Sequence, residues 1–144
     1  MSNPESVLIA LGSNLGDRAY NLRRAIFELQ RVISVVRLSS IYETDPIDAP
    51  RGSPTFLNMV VAGFTTLSPE SLLAHLLDIE QRLGRVRRGW NAPRTIDLDL
   101  ILHSANLRRS RELTLPHPRY RQRDFVMWPF RELRLGWRDP RGYA

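Results

Sequence analysis

Ten residues near the middle of the chain, Pro93-Arg94-Thr95-Ile96-Asp97-Leu98-Asp99-Leu100-Ile101-Leu102, restrict the fold more than any other stretch. Read as a β-strand, they send alternate side chains to opposite faces of a sheet. Ile96, Leu98, Leu100 and Leu102 then form an apolar row fit for burial, and Thr95, Asp97, Asp99 and Ile101 take the other face. A two-residue step advances a strand by about 6.6 Å, so the two carboxylates stand side by side. Like charges so placed repel unless something positive lies between them. A hard divalent cation takes oxygen ligands and would serve; so would an arginine, and Arg94 is adjacent. The plainer alternative is an exposed strand whose solvent side carries two aspartates.

Length and charge narrow the function classes. A chain of 144 residues suggests a single domain over its whole length, residues 1–144, with a Gly- and Pro-containing tail at 133–144 expected to pack loosely. There is no cysteine, which excludes disulfides and thiolate metal sites. No basic-flanked apolar leader opens the chain, and no apolar run approaches the roughly 20 residues of a membrane span. A cytoplasmic protein without a membrane partner is the expectation. The formal charge is +6, and all 21 residues counted as Lys+Arg are arginine. Most fall into three groups: Arg18, Arg23 and Arg24; Arg82 to Arg94; and Arg108 to Arg138. Such charge attracts phosphate of any kind. No helix-turn-helix, zinc-finger or RNA-recognition signature accompanies it. On charge alone a phosphorylated small ligand is as good a reason for the arginines as a nucleic acid, and without such a signature no nucleic-acid partner is expected.

In chain order, Val7-Leu8-Ile9-Ala10-Leu11 reads as a buried central strand ending in the turn Gly12-Ser13-Asn14-Leu15-Gly16-Asp17. Two glycines between strand and helix resemble a phosphate loop only faintly, and a plain strand-to-helix turn is the simpler reading. Leu22, Ile26, Leu29 and Ile33 then mark one face of a helix, with Arg23, Arg24, Glu28 and Arg31 off it. Val35 to Thr44 reads as one strand. Asp45 to Pro54 holds three prolines and a glycine, a long loop of the kind that forms lids. Phe56 to Thr65 resumes β character, placing Phe56, Asn58, Val60 and Ala62 on one face. Ser68-Pro69-Glu70 starts a helix and Gly84 stops it. Leu72, Leu73, Leu76, Ile79 and Leu83 form its stripe, with Glu80 bordering it near the helix C-terminus, where the macrodipole disfavours an acid. Arg85 and Arg87, next in the chain, would offset that. After the diacid strand come a polar turn at Arg108 to Leu113, the proline-fixed loop Thr114-Leu115-Pro116-His117-Pro118, and a short helix or turn within Arg119 to Leu133.

The order β-α-β-β-α-β implies an α+β, ferredoxin-like fold: one antiparallel sheet with its helices on one face. The helix-free face, carrying Asp97 and Asp99, is then the one to bind a ligand.

Six motifs in sequence carry a family resemblance: Gly12-Ser13-Asn14-Leu15-Gly16, Tyr42-Glu43-Thr44-Asp45-Pro46, Phe56-Leu57-Asn58, Gly84-Arg85-Val86-Arg87, Pro93-Arg94-Thr95-Ile96-Asp97-Leu98-Asp99 and Leu115-Pro116-His117-Pro118. Together, over roughly residues 7–130, the chain resembles the 6-hydroxymethyl-7,8-dihydropterin pyrophosphokinases of folate biosynthesis. The resemblance implies a monomer that transfers pyrophosphate from ATP to the hydroxymethyl group of a reduced pterin, giving the pterin diphosphate and AMP. It implies two Mg2+ ions held by Asp97 and Asp99, and Arg85 and Arg94 acting with them on the reacting phosphates. Glu80, Arg87, Arg94, Thr114, His117 and Arg123 match nucleotide-site positions. Thr44, Pro46, Ile47 and Asn58 match the polar edge of the pterin pocket, and Phe56 and Phe125 the aromatic pair that stacks on the ring. Asp45 and Asp48 stand where the family also has proline and glycine. A relative that binds pterin or nucleotide without turnover is the second reading, and an RNA-binding module on the same sheet the third.

Overall fold

The apolar run at Val7–Leu11 is the centre of a longer strand, β1 (Glu5–Ser13), whose last seven residues are all buried. Leu8, Ile9 and Leu11 are almost wholly out of solvent, and each such side chain contributes roughly 1.5–3 kcal/mol of transfer free energy. The computed structural model describes residues 3–84 and 94–141. After β1 come α1 (Arg18–Leu29), β2 (Ser34–Leu38), β3 (Tyr42–Thr44), β4 (Phe56–Thr65), α2 (Pro69–Arg82), β5 (Asp97–His103), β6 (Arg108–Arg109), β7 (Thr114–Leu115), a 3-10 turn (Tyr120–Gln122) and α3 (Asp124–Glu132). Among the described residues no helix is long and apolar enough to cross a membrane.

Local chemistry accounts for the helix limits. The Asp17 carboxylate accepts the Tyr20 N–H at 3.1 Å and starts α1, and Ser68 Oγ does the same for Ser71 at 3.1 Å at the head of α2. Gly84, at φ +88°, takes the left-handed position that ends α2. Helix α1 stops at Leu29, so Ile33 joins the core from the loop beyond it. Glu28, expected on the solvent side, is half-buried and accepts the Arg82 guanidinium of α2 at 2.8 Å.

All pairings in the main sheet are antiparallel, in the order β2-β4-β1-β5, with β3 alongside β4. This is the expected ferredoxin-like α+β arrangement. Two features depart from simple alternation. The single strand expected over Val35 to Thr44 is two strands, β2 and β3, parted at Ser39. There the serine N–H donates to the Val60 carbonyl at 3.0 Å, and its hydroxyl accepts the Val60 N–H at 2.9 Å, standing in for a main-chain acceptor. Strand β5 carries a bulge at Ile101: Ile9 pairs with Leu100 but Leu8 with Leu102. The extra residue reverses the alternation. Leu98 and Leu100 stay with the core beneath α1 and α2, while Leu102 crosses to the opposite layer beside Ile101, so the expected four-residue apolar row is broken at its end.

That opposite layer is not free of helices. Helix α3 packs through Val126 and Met127 onto Leu8, Val60, Ala62, Ile101 and Leu102. The expectation of a helix-free face therefore holds only at the end of the sheet where β1 and β5 carry Gly12, Asp97 and Asp99. The tail is fastened to this layer: Trp137 meets Phe64 edge-on at 6.1 Å between centroids, and buried Asp139 accepts the Tyr120 hydroxyl at 2.6 Å.

Candidate active site

The uncovered end of the sheet floors a cavity of about 450 Å³. Its floor follows from strand register. Across the sheet, Asn58 on β4 pairs with Gly12 on β1, and Gly12 pairs with Asp97 on β5. Asp99 pairs with Ala10 in the next row. Same-face alternation therefore lines up an amide, a residue with no side chain, and a carboxylate. A Cβ on Gly12 would come within 2.9 Å of Asn58 Oδ1 and 3.3 Å of the Phe56 ring. Glycine keeps the floor open between the amide and the acids; the faint phosphate-loop resemblance of this turn has a different physical basis, close approach of side chains.

Ten of the residues singled out from sequence line this cavity: Thr44, Pro46, Ile47, Phe56, Asn58, Arg94, Asp97, Asp99, Arg123 and Phe125. Thr44 Oγ1 accepts the Asn58 side-chain N–H, which leaves the Asn58 carbonyl oxygen directed at Gly12 and the cavity floor. Arg94 donates to Asp97 at 3.1 Å, with both side chains mostly shielded from solvent. The Arg94 guanidinium also lies 5.8 Å from the centre of the Phe56 ring, and that of Arg123 lies 5.6 Å from the centre of Phe125. Each aromatic ring of the site thus has a cation over it, an attraction worth about 0.5–1 kcal/mol where exposed.

Three expected nucleotide-site residues do not line the cavity. Glu80 is buried on α2, and its carboxylate accepts the N–H of Leu98 at 2.7 Å. Leu98 separates the two aspartates, so Glu80 braces the diacid strand from beneath, and its disfavoured helix position is offset by that bond. Thr114 pairs with Arg109 in the β6–β7 hairpin. His117 sits half-buried behind the site, its main-chain N–H donating to the Ile101 carbonyl at 2.9 Å. Burial pushes its imidazole down to about 4, helped by the Arg123 charge and opposed by Asp97. It is therefore uncharged at neutral pH. Arg85 and Arg87 lie outside the described residues.

Several further residues line the cavity that were given no role of their own from the sequence. Asp45 and Asp48 of the long loop, with Asp48 in the left-handed region at φ +48°, bring two more carboxylates to the cavity. Arg119 and Gln122, around the 3-10 turn, line it as well. No periodicity distinguishes these residues from other polar loop positions. Asn14 stands behind the site, 2% exposed, and its side chain accepts the Arg94 main-chain N–H at 2.8 Å. The Arg18 guanidinium ties Glu43 and Thr55 together at 2.8–3.0 Å, closing the base of the long loop against α1.

Residues 8–135 match the family model described as 7,8-dihydro-6-hydroxymethylpterin-pyrophosphokinase. The 2-amino-4-hydroxy-6-hydroxymethyldihydropteridine pyrophosphokinase of Bacillus subtilis (strain 168) is 43% identical over 127 residues, 87% of this chain and 75% of that protein. The protein of the same name from Synechocystis sp. is 41% identical over 136 residues, 93% of this chain and 69% of its own length. Among solved structures, a Plasmodium falciparum HPPK-DHPS A437G crystal structure superimposes with a TM-score of 0.73 at 12% identity. That match covers 96% of this chain but 43% of the longer protein, and it speaks for the fold alone.

Proposed function

The chain belongs to the 7,8-dihydro-6-hydroxymethylpterin-pyrophosphokinase family, and from that premise we propose how its cavity carries out the reaction. The activity is pyrophosphate transfer from ATP to 6-hydroxymethyl-7,8-dihydropterin in folate biosynthesis. The pterin hydroxymethyl oxygen forms a bond to the β-phosphorus, the bond from that phosphorus to the α-phosphate oxygen breaks, AMP departs with that oxygen, and the hydroxyl proton is lost. Little of this asks for covalent help from protein. Alignment and charge compensation supply most of the acceleration in phosphoryl transfer.

The observation that carries the reading is the row Asn58, Gly12, Asp97 across three adjacent strands in one cavity. Asn58 and the backbone around Thr44 to Ile47 would hold the heterocycle's polar edge, with Phe56 and Phe125 on its faces. Thr44 fixes the orientation of the Asn58 amide, so a carbonyl oxygen is offered to ring N–H donors. The open floor at Gly12 lets the hydroxymethyl group reach toward the acids. Arg94 and Arg123 are placed to grip phosphate oxygens, which guanidinium groups do bidentately. Arg85 and Arg87 are assigned the same task. Glu80 and Asn14 act at one remove, by holding β5 and its entry in place. Thr114 and His117 are assigned to the nucleotide side of the hairpin.

Asp97 and Asp99 are a suitable donor set for magnesium. They are oxygen ligands on one side of a strand, partly shielded, with cavity space beside them for phosphate oxygens. They would hold two Mg2+ ions, which would offset the charge of the phosphate oxygens during the transfer. The chain is read as acting as a monomer.

The test is to incubate the protein with ATP, Mg2+ and the hydroxymethyl-dihydropterin and to separate the products. AMP and pterin diphosphate should appear in equal amounts and only with all three present. AMP formation that ignores the pterin, or none at all, rejects the reading.

A further inference from the structure

Resting on the pyrophosphokinase reading, we infer that Arg119 is a further phosphate-binding residue of this site, gripping the diphosphate group that passes from ATP to the pterin. Between His117 and α3 the chain makes a 3-10 turn, Tyr120–Gln122. Of the residues around it, Arg119, Gln122 and Arg123 line the cavity, a spacing of three and four that puts them on one side. Tyr120 points the other way, 3% exposed, into the α3 layer. Its hydroxyl donates to Asp139, and Asp139 in turn accepts the Arg141 guanidinium at 2.7 Å. The turn is thereby pinned from behind by the tail, which holds the rim side chains at a defined place.

The charges around the cavity differ in what they already do. Arg94 is engaged by Asp97. Arg123 lies over Phe125 and faces His117. For the Arg119 guanidinium, no ion pair, hydrogen bond or ring contact occurs among the described residues, although its main chain donates weakly to His117 Nδ1 at 3.5 Å. An exposed cation at the mouth of a cavity whose floor is acidic is not there to neutralise the floor, which Arg94 reaches first. Its chemistry suits a polyanion entering from solvent. The group common to substrate and product is the diphosphate, present in ATP and again in the pterin diphosphate. A grip on that group holds across the transfer and costs no rearrangement of the rim.

The test uses the full chain with Arg119→Gln and Arg119→Lys, and Arg111→Gln as an exposed charge control outside the cavity. Calorimetry with Mg2+ gives the affinity for a non-hydrolysable ATP analogue, for the pterin diphosphate and for the unphosphorylated pterin. Arg119→Gln should weaken the first two about tenfold each, as expected for one charge-assisted hydrogen bond. It should leave the third unchanged, with Lys recovering part of the loss and Arg111→Gln having no effect. Equal affinity of wild type and Arg119→Gln for both phosphorylated ligands overturns the assignment. So does a loss that vanishes in an Asp45→Asn background, since Arg119 would then be acting as a rim-to-rim ion pair. Failure of the wild type to form AMP would instead reject the pyrophosphokinase reading, an outcome read in a separate assay.

Discussion

Asn14 and Arg94 hold each other by two hydrogen bonds: the Arg94 N–H donates to Asn14 Oδ1 at 2.8 Å, and the Asn14 N–H donates to the Arg94 carbonyl at 3.1 Å. A third, longer bond runs from the Asn14 amide to the Pro54 carbonyl at 3.4 Å. One buried side chain therefore links the end of the long loop to the entry of the diacid strand.

Two substitutions separate these links. Asn14→Ala strips the Arg94 N–H of its acceptor and should lower stability by roughly 1–3 kcal/mol, with a fall in kcat because Arg94 and Asp97 lose their fixed approach. Asn14→Asp keeps the acceptor and loses the donor to Pro54, so it should chiefly raise the pterin KM. Urea melts and steady-state kinetics distinguish the two patterns. Identical behaviour of both variants would mean that the Pro54 link does nothing.

The acid pair makes a prediction in which stability and activity part company. Asp97→Asn and Asp99→Asn should each lower magnesium-dependent AMP release by about a hundredfold or more. Asparagine keeps the shape of either side chain, so both variants should stay folded, and the loss of activity should far exceed any change in melting temperature. Asp97→Asn weakens the ion pair with Arg94 and should melt somewhat lower than wild type. Circular dichroism melts beside an AMP assay decide it; near-normal turnover in either variant sinks the metal assignment.

Gly12→Ala tests the floor. The added methyl meets the Asn58 oxygen and the Phe56 ring, both of which are packed, so a cost of about 1–3 kcal/mol is expected. The useful readout is specificity of damage: pterin affinity should fall while binding of an ATP analogue holds. Gly63→Ala offers the contrast, since its Cβ would collide with the Ser34 carbonyl on the edge of the sheet, destabilising the fold without preference for either substrate. Equal loss of both ligands in Gly12→Ala would count against an open floor.

The tail supplies a pH dependence. Burial alone would raise the Asp139 carboxyl, but bonds from Arg141 and Tyr120 outweigh it and hold the group down to about 2, against 3.8 ordinarily. A depressed carboxylate contributes stability above its unfolded value and loses it as pH falls through the folded one. The difference between wild type and Asp139→Asn should thus be constant above about pH 4 and shrink between pH 4 and 2. Its size should be roughly 1–2 kcal/mol, kept low because Arg141 is partly exposed. Trp137 fluorescence during urea unfolding at each pH provides the measurement. A difference independent of pH would show that Asp139 acts through shape rather than charge.

Much of this molecule could be read before its coordinates, and the reason differs by element. Ser68, Pro69 and Gly84 delimit α2 because caps are local chemistry. Phe56, Asn58, Val60 and Ala62 share a face because β4 keeps strict alternation, and the same regularity brought Asp97 and Asp99 together. Where alternation fails, the cause is a partner distant in sequence. The bulge at Ile101 is defined only by how β5 registers against β1, and the break at Ser39 only by its two hydrogen bonds with Val60. The placement of α3 across the second face depends on apolar residues from three strands at once. The motifs that carry the family resemblance brought most of the pocket with them, but Glu80 proved to brace Leu98 from below, and Arg119 carried no signal until the turn around Tyr120 was seen.

The partial cover that α3 lays over the sheet has a mechanical consequence. Strand β5 is covered by the α3 layer at Ile101 and Leu102 and open on that side at Asp97 and Asp99, like a beam built into a wall with its load at the free end. Stiffness at the loaded tip is then governed by how firmly the root is clamped. Substitutions around Leu8, Met127 or Trp137, none of which lines the cavity, are a route by which the chain can tune the compliance of the strand at Asp97 and Asp99.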